Sequence, residues 1–526
     1  MRVFIRADAS RAIGTGHVMR CLTVADALAE GGARVHFVCR AHDAHLGDLI
    51  GTRGHAVTLL PQSGNGGPQD LDTPDRGPYA GWLGCDQATD ARQTLEAIAA
   101  AGPADVLLVD HYALDRTFER MMRPHVGRIA VIDDLADRPH DCDVLIDQTF
   151  GRSGTDYEGL VPARTRLLLG LRYALVAPAF VEARRRRDGT IGRIIVFMGG
   201  VDANNAGRDV IEGLEAAGAA SRGLQVDLLV GGANPHRDTL VAWSVGRPWL
   251  RLIEPRASLA PILGEYDLAV GAGGVAAVER VIAGLPSITV TVATNQETGA
   301  TALAEAGALL HIGSHGEATS AAVADAVRFL LRVPSTVRHV ASRATDLCDG
   351  WGLRRVARCL LADSVRLRRA TTADAELVWR WRNHPSTRAQ SGDPTEIPLD
   401  RHLVWFERAV ESVDRALLLA TEGAEPCGVL RFDFDGDRAV VSIFVDPTRH
   451  GGGLGSRMLD AGISRILREW PSLKGLDARV LHSNEASRRL FVEAGFVERE
   501  SLFSLDFTTP STPTIEGTDR SQETFH

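Results

Sequence analysis

Short apolar runs that end in Asp or Gly alternate with segments of helical periodicity from residue 3 to residue 292. Strands that alternate with helices in this way form parallel α/β sheets. The arginine-rich stretch 178–189 divides the alternation and indicates a hinge or a connecting helix. We therefore predict two Rossmann-like domains, over 1–180 and 190–362, with ligands at the carboxyl ends of their strands. The predicted strands are 3–8, 35–39, 104–110, 129–134, 193–200, 224–232, 267–274 and 287–292.

The pattern changes at residue 363. A strand and a helix are predicted within 365–383, then strands at 416–421, 428–434 and 439–445, and a helix over 454–469. Short alternating strands between helices indicate an α+β domain, which we place at 363–506. The polar end of the chain, 507–526, has the composition of a disordered tail.

Composition excludes several classes of protein. The net charge of -9 argues against a nucleic-acid partner. The sequence has no long apolar run to span a membrane, and its first residues do not resemble a signal peptide. The seven scattered cysteines form no C-x-x-C pair, which favours reduced thiols, a cytoplasmic location and no zinc site. The only lysine is Lys474, so a Schiff base in the first two thirds is excluded. The oligomeric state stays open.

The segment Gly14-Thr15-Gly16 leads directly into a predicted helix. Backbone N–H groups at such a helix start favour an anion. His17 lies in the first helical turn, where the helix dipole favours a neutral imidazole that can act as a base. A histidine that only caps the helix is the alternative.

Several motifs in order along the chain together resemble one family. They are Ile5–Leu28, 82–84, 110–112 with 114–115, 132–134, 147–148, 197–202, 271–274 with Glu279, 284–286 and 295–296. Over roughly residues 1–360 the chain is similar to the UDP-2,4-diacetamido-2,4,6-trideoxy-β-L-altropyranose hydrolases of pseudaminic acid synthesis. The resemblance implies two Rossmann-like domains in the GT-B-type arrangement. It also implies that water, with His17 as its base, attacks the anomeric carbon and releases UDP.

The resemblance also implies the residues that bind the UDP-sugar. The 271–274 loop would hold the diphosphate, Glu279 the ribose, and the 295–296 pair the sugar or uridine. Backbone N–H groups on the diphosphate make a metal unnecessary. An ordinary strand-to-helix turn is the alternative for these glycines. The predicted binding residues are Gly14, Thr15, Gly16, Gly199, Gly200, Gly271, Gly273, Gly274, Glu279, Asn295 and Gln296.

Two further features bear on this first site. Asp110 and Tyr112 lie at a strand end and are predicted to be catalytic, with Asp110 orienting His17 or a sugar hydroxyl. An Asp that merely caps the next helix is the alternative. Asp133 and Asp134 are interpreted as turn residues and not as metal ligands. Residues 275–278 are all Val or Ala where the family has small hydroxyl residues and a Trp, which puts its substrate preference in question.

The segment 443–459 resembles the pyrophosphate loop of the GNAT acetyltransferases, read as His450-x-x-Gly453-x-Gly455. The late motif 484–496 and the start 367–383 match the same family. The resemblance implies acetyl-CoA as cosubstrate, bound at a helix start. A flexible glycine turn is the alternative. The predicted coenzyme contacts are Val445, His450, Gly451, Gly453, Gly455, Asn484 and Ser487.

The chemistry of this second site has fewer candidate residues. The strand 439–445 carries no Glu to act as base, with Ser442 as its one polar side chain, and Phe491 stands where many members have a Tyr acid. Binding and orientation alone can still promote acyl transfer from a thioester.

The stretch 381–383 with 402–406 resembles acetyltransferases that act on UDP-4-amino sugars. The sequence therefore predicts a bifunctional enzyme that acetylates the 4-amine and then removes UDP. A GT-B-type glycosyltransferase and a sensor that binds nucleotide-sugar and coenzyme A without turnover are the alternatives. The configuration of the sugar ring stays open.

Overall fold

The computed structural model describes residues 1–62, 79–232, 234–254, 258–361, 365–449, 453–496 and 498, and the backbone of 504–505 and 515–516. The chain forms two compact units, 1–357 and 358–526. The predicted tail 507–526 lies outside the described residues except at 515–516, where strand Ile515–Glu516 pairs with Ser504–Leu505. Within the described ranges, no helix has the length and apolar character needed to cross a membrane.

The first unit begins with a seven-stranded parallel sheet, ordered β3-β2-β1-β4-β5-β6-β7. Its central strands are apolar and buried, as strands covered on both faces must be. Its strands are β1 Arg2–Ala7, β2 Arg34–Arg40, β3 Ala56–Leu60, β4 Ala104–Asp110, β5 Val126–Ile132, β6 Val144–Asp147 and β7 Arg166–Leu169. The helices are α1 Gly16–Glu30, α2 Gly47–Thr52, α3 Gln87–Ala101, α4 Arg116–Met122 and α5 Ala179–Glu182.

A second parallel sheet follows in the same unit, ordered β10-β9-β8-β11-β12-β13. Its strands are β8 Arg193–Phe197, β9 Gln225–Leu229, β10 Leu250–Ile253, β11 Leu268–Ala272, β12 Ser287–Thr291 and β13 Leu310–Ser314. Its helices are α6 Ala206–Ala216, α7 Arg237–Ser244, α8 Ala260–Leu263, α9 Val275–Ile282, α10 Glu297–Glu305, α11 Ser320–Arg332 and α12 Pro334–Leu347. Helix α13 Gly352–Leu361 spans the boundary between the two units.

The stretch 178–189 is neither a long helix nor a free hinge. Only α5 is helical, and the arginines after it are anchored. Arg184 Nε donates to the Ile282 carbonyl at 2.6 Å, and Arg187 Nη1 donates to the Gly284 carbonyl at 2.7 Å. These bonds satisfy the last carbonyls around the end of α9, so the arginine run ties the connection to the second sheet.

The second unit contains a five-stranded sheet, ordered β14-β15-β16-β17-β18, in which only β17 and β18 are parallel. Alternate residues of β16 point to opposite faces: Leu430 and Phe432 pack with α17, and Val429 packs with α14 and α16. The strands are β14 Arg366–Arg369, β15 Arg415–Glu422, β16 Glu425–Asp435, β17 Arg438–Val445 and β18 Gly475–Asp477, followed by β19 Ser504–Leu505 and β20 Ile515–Glu516. The helices are α14 Ala375–Asn383, α15 Pro385–Arg388, α16 Leu399–Glu411, α17 Leu454–Glu469 and α18 Glu485–Ala494.

Two parallel α/β sheets followed by an α+β domain are the fold class predicted from the sequence, which is confirmed. The predicted domain boundaries stay a prediction, since the described units divide the chain only between residues 357 and 358.

Candidate functional site

His17 lies at the carboxyl edge of the first sheet. The chain leaves β1, makes a tight turn in which the Gly14 N–H donates to the Ser10 carbonyl at 2.8 Å, and enters α1 at Gly16. Gly14 has φ of 80°, a backbone conformation that favours glycine. The turn therefore places His17 in the first turn of α1, where its side chain is buried at 8% exposure.

Asp110 holds the His17 ring. It is the last residue of β4, beside β1, and its Oδ1 lies 2.6 Å from His17 Nδ1. Burial by itself would raise the pKa of Asp110, but the guanidinium of Arg20 and then His17 hold that pKa well below its usual range. An ionised carboxylate can only accept hydrogen bonds, so His17 Nδ1 carries the proton and Nε2 has the free lone pair.

Arg20 completes this arrangement and was missed in the sequence. It lies one helical turn after His17, and its Nε donates to Asp110 Oδ2 at 2.6 Å. Its Nη1 donates to Asp134 Oδ2 at 2.7 Å. The spacing H-x-x-R was the available signal, but only the fold shows that Asp110 and Asp134 lie within its reach.

Aromatic rings form a wall beside His17. Tyr112 meets the imidazole edge-on at 4.6 Å between ring centroids, and Trp82 stacks on Tyr112 at 5.7 Å. Tyr79 contacts both rings, at 4.8 Å from Trp82 and 5.0 Å from Tyr112. Such a wall suits the apolar face of a sugar better than a charged group.

The Tyr112 hydroxyl is already engaged, because it donates to Asp134 Oδ1 at 2.6 Å. Burial, followed by the nearby charge of Asp134, raises the pKa of Tyr112 well above its usual value. Tyr112 thus packs against His17 with its ring and holds Asp134 with its hydroxyl. Its predicted catalytic role stays a prediction.

Asp110 and Asp133 each had a structural alternative to a role in the site: a helix cap for Asp110 and a turn residue for Asp133. Asp110 does not cap the next helix, because Asp115 caps α4 by accepting the Thr117 N–H at 2.6 Å. Asp133 is bound by Arg138 at 2.8 Å and by the backbone of its own turn, as expected of a turn residue. The described parts of the chain contain no group of three His, Cys, Asp or Glu suited to a metal ion.

The second sheet presents its predicted glycines at its own carboxyl edge. A Cβ on Gly271 would lie 2.6 Å from the Phe197 carbonyl oxygen, and one on Gly273 would lie 3.0 Å from Thr291 Cγ2. Gly274 directly precedes α9. Packing alone therefore requires small residues at the first two positions, and Gly273 and Gly274 remain next to an open helix start.

Other predicted residues gather at this edge. Asn295 and Gln296 lie in the 3-10 helix Thr294–Gln296. The Oε1 atom of Gln296 accepts the Val292 N–H at 3.1 Å. Gly199, with φ of 103°, and Gly200 follow β8. Both segments lie at carboxyl ends of strands, where ligands of α/β sheets bind.

Glu279 lies on α9 beside a small cavity lined by Phe197, Leu259 and Ala276. Burial raises the pKa of Glu279 to about 7, although the neighbouring Arg280 opposes the shift. A carboxyl group with such a pKa is partly protonated near neutral pH and can both accept and donate hydrogen bonds.

In the second unit the glycine loop leads into α17. Gly453 has φ of 67° at the helix start, and a Cβ on Gly455 would lie 3.4 Å from Val445 Cγ2. Asn484 caps α18, because its Oδ1 accepts the Ser487 N–H at 3.0 Å. The predicted contacts His450 and Gly451 lie outside the described residues.

Two acidic residues beside this loop, Glu422 and Asp446, are engaged in local hydrogen bonds. Glu422 accepts hydrogen bonds from Arg449 and, at 2.8 Å, from Arg457, so it braces the loop. Phe491 is buried and meets Phe496 edge-on at 5.0 Å. Phe491 has no proton to give, and transfer by orientation stays a prediction.

Comparisons with known proteins match the two parts of the chain separately. Over 309 residues, which are 58% of this chain and 97% of the relative, the chain is 24% identical to the UDP-2,4-diacetamido-2,4,6-trideoxy-beta-L-altropyranose hydrolase of Campylobacter jejuni subsp. jejuni serotype O:2. It is 27% identical over 159 residues, or 45% of the relative, to the spore coat polysaccharide biosynthesis protein SpsG of Bacillus subtilis. Residues 376–496 match the Acetyltransferase (GNAT) family.

Solved structures align with the same two parts. Acinetobacter baumannii MurG aligns with 68% of this chain and 98% of its own, at 13% identity and a TM-score of 0.47. The aminoglycoside acetyltransferase AAC(6')-Ib in complex with coenzyme A aligns with 28% of this chain and 90% of its own, at 20% identity and a TM-score of 0.24. The sequence relatives confirm the predicted resemblance of the chain to a UDP-sugar hydrolase and to a GNAT acetyltransferase.

Proposed function

We propose that the first unit hydrolyses a UDP-2,4-diacetamido-2,4,6-trideoxyhexose and that the second unit acetylates the 4-amine of its UDP-linked precursor. The hydrogen bond between His17 Nδ1 and Asp110 Oδ1 carries the first assignment, because it fixes the ring with Nε2 free to accept a proton. The similarity to the hydrolase over nearly the whole length of that relative supports the choice of reaction.

In the hydrolysis, His17 Nε2 takes one proton from a water molecule whose oxygen bonds to the anomeric carbon. The bond from that carbon to the UDP oxygen breaks, and UDP leaves as an anion. Backbone N–H groups next to Gly273 and Gly274 are suited to stabilise the diphosphate as it gains charge. The apolar wall of Trp82 and Tyr112 is suited to hold the sugar against His17.

In the acetyl transfer, the sugar nitrogen bonds to the thioester carbonyl carbon of acetyl-CoA, and the carbon–sulfur bond then breaks. The nitrogen loses a proton and the coenzyme leaves as its thiol. The loop that ends at Gly453 is suited to bind the coenzyme pyrophosphate, because free N–H groups of α17 point toward it. Holding the amine beside the thioester supplies most of the rate, since Glu422 and Asp446 beside the loop are engaged by Arg457 and Thr448.

Phosphorus NMR of UDP release tests the hydrolysis. The diacetamido UDP-sugar is incubated with EDTA and without an acceptor, with wild type, His17→Ala and His125→Ala. We expect prompt release by wild type, loss of about 100-fold or more in His17→Ala because a general base is removed, and full activity in His125→Ala. His125 is exposed at the opposite edge of the sheet, just before β5.

Equal release by wild type and His17→Ala would exclude His17 as the base. Release that requires an added acceptor would instead indicate a glycosyltransferase, and UDP binding without any release would indicate a sensor.

A further inference from the structure

Three arginines gather on the face of the third sheet that α14 and α16 cover. Arg382 lies near the end of α14, Arg388 ends α15, and Arg431 lies on β16. All three are partly buried. Burial lowers the pKa of Arg382, and the charges of Arg388 and Arg431 lower it further against the opposing charge of Asp393. The guanidinium groups of Arg388 and Arg431 are therefore close enough to that of Arg382 to repel it.

Two of these guanidinium groups have buried N–H groups without an acceptor. Arg382 Nη2 donates to the Asp393 carbonyl at 3.1 Å, and Arg388 Nη1 donates to the Pro394 carbonyl at 3.4 Å. In the part of the chain that the structure describes, Arg382 Nη1 and Arg388 Nε have no hydrogen-bond partner. Buried donors without acceptors destabilise a fold unless water or a ligand binds them, and the like charge of these donors favours an anion.

The third arginine shares its counter-charge. Arg431 Nε lies 2.8 Å from Asp433 Oδ2, but the same carboxylate also accepts a bond from Arg415. Arg431 Nη2 donates to Ser442 Oγ at 3.4 Å. Both arginines also lie over the ring of Trp405, at 5.9 and 6.0 Å from its centroid. One carboxylate between two guanidinium groups leaves this surface with excess positive charge.

The position of the cluster separates it from the coenzyme loop. Arg431 lies on the face of β16 that also carries Val429, whereas α17 packs on the face that carries Leu430. The pyrophosphate of the coenzyme is expected at the start of α17, after Gly453. An anion at the arginine cluster would therefore belong to the other substrate.

We propose that Arg382, Arg388 and Arg431 form the subsite that binds the diphosphate of the UDP-linked amine. Guanidinium groups match phosphate oxygens with paired N–H donors, and the unpartnered donors supply such pairs. The aromatic face of Trp405, at 37% exposure, lies next to this subsite. The inference rests on the proposed acetyl transfer and adds the residues that hold the diphosphate of its acceptor substrate.

Arginine modification locates the anion without depending on turnover. The full chain is treated with phenylglyoxal alone, with UDP, or with coenzyme A, and modified peptides are quantified by mass spectrometry. We expect UDP to lower modification of the three arginines several-fold, and coenzyme A to leave it unchanged. Arg380 is the internal control, because it lies on α14 but is exposed and paired with Glu376. Equal modification with and without UDP, or protection by coenzyme A instead, would overturn the subsite.

Kinetics of thiol release test its use in catalysis. In Arg388→Gln and Arg431→Gln we expect KM for the UDP-linked amine to rise about tenfold each, since a charge-assisted bond to phosphate is lost. KM for acetyl-CoA should not change, and Arg380→Gln should behave as wild type. An unchanged KM for the UDP-linked amine would contradict the proposal. Protection by UDP without any acetyl transfer by wild type would sink the proposed reaction and leave the subsite standing.

Discussion

At the scale of single residues, the first site depends on which groups carry charge. Asp110 is ionised because Arg20 outweighs the effect of burial, and an ionised Asp110 fixes the tautomer of His17. Glu279 shows the opposite balance, since burial outweighs its neighbour Arg280. Two carboxyl groups of one unit thus differ in protonation near neutral pH because their partners differ.

Asp110→Asn should lower the rate of UDP release by about 100-fold or more, because the amide no longer fixes the proton on His17 Nδ1 and leaves Arg20 with less counter-charge. Steady-state kinetics measure the effect, with Asp115→Asn as a matched control that keeps a good helix cap. The low pKa of Asp110 also means that no change in rate between pH 5 and pH 9 should come from this group. A rate in Asp110→Asn near that of wild type would show that the ring needs no partner.

Glu279→Gln should stabilise the protein at alkaline pH. The folded pKa of about 7 is above the usual 4.5, so ionising Glu279 destabilises the fold as pH rises from about 4.5 to 7. The variant should therefore be more stable by at most about 3 kcal/mol at pH 8, with most of the difference gone at pH 5. Thermal unfolding at both pH values measures this, with exposed Glu305→Gln as control. If the difference in unfolding stability between wild type and Glu279→Gln were the same at both pH values, a raised pKa of Glu279 would be excluded.

At the scale of elements, the turn before α1 determines where His17 lies. Gly14 takes the left-handed conformation that lets the chain reverse after β1, and Gly16 opens the helix with ordinary φ. The two glycines have free space around them, so only the backbone of Gly14 requires glycine.

Gly14→Ala should destabilise the protein by about 1 kcal/mol, because alanine resists a positive φ. It should also slow UDP release, since a strained turn shifts the start of α1. Gly16→Ala should keep the stability of wild type, and thermal unfolding of both variants makes the comparison. Equal melting of the two variants would show that the turn tolerates a side chain.

The elements also show what the sequence can predict. Strands rich in apolar residues, such as β4 and β12, were predicted to within a residue or two, because an apolar run indicates a buried strand. The strands β6 and β13 were missed, since β6 has only four residues and β13 is only partly buried. His17 and Asp110 are predicted as catalytic from their motifs, and the structure brings them within 2.6 Å of each other. The link through Arg20 to Asp134 could not be predicted, because it joins residues 114 positions apart.

At the scale of the whole molecule, each unit has its own apolar cores and its own proposed site. Residues of the first two sheets form one set of cores, and those of the third sheet form another. Substitutions at one site should therefore leave the chemistry of the other unit intact.

In the full chain, His17→Ala should abolish UDP release and keep acetyl transfer, whereas Arg431→Gln should weaken acetyl transfer and keep UDP release from the diacetamido sugar. Both reactions are assayed in one protein preparation, by phosphorus NMR and by thiol release. Loss of both reactions in either variant would show that the two units do not act independently.

The side chains of His17, Arg20, Asp110 and Asp134 together determine the net charge of the site. With a neutral imidazole, Arg20 contributes one positive charge and Asp110 and Asp134 two negative charges, so the group carries one net negative charge. In the proposed hydrolysis, accepting a proton from water would bring the sum to zero as the departing nucleotide becomes more negative. The sum of charges on these groups and the leaving group would thus stay constant in this step.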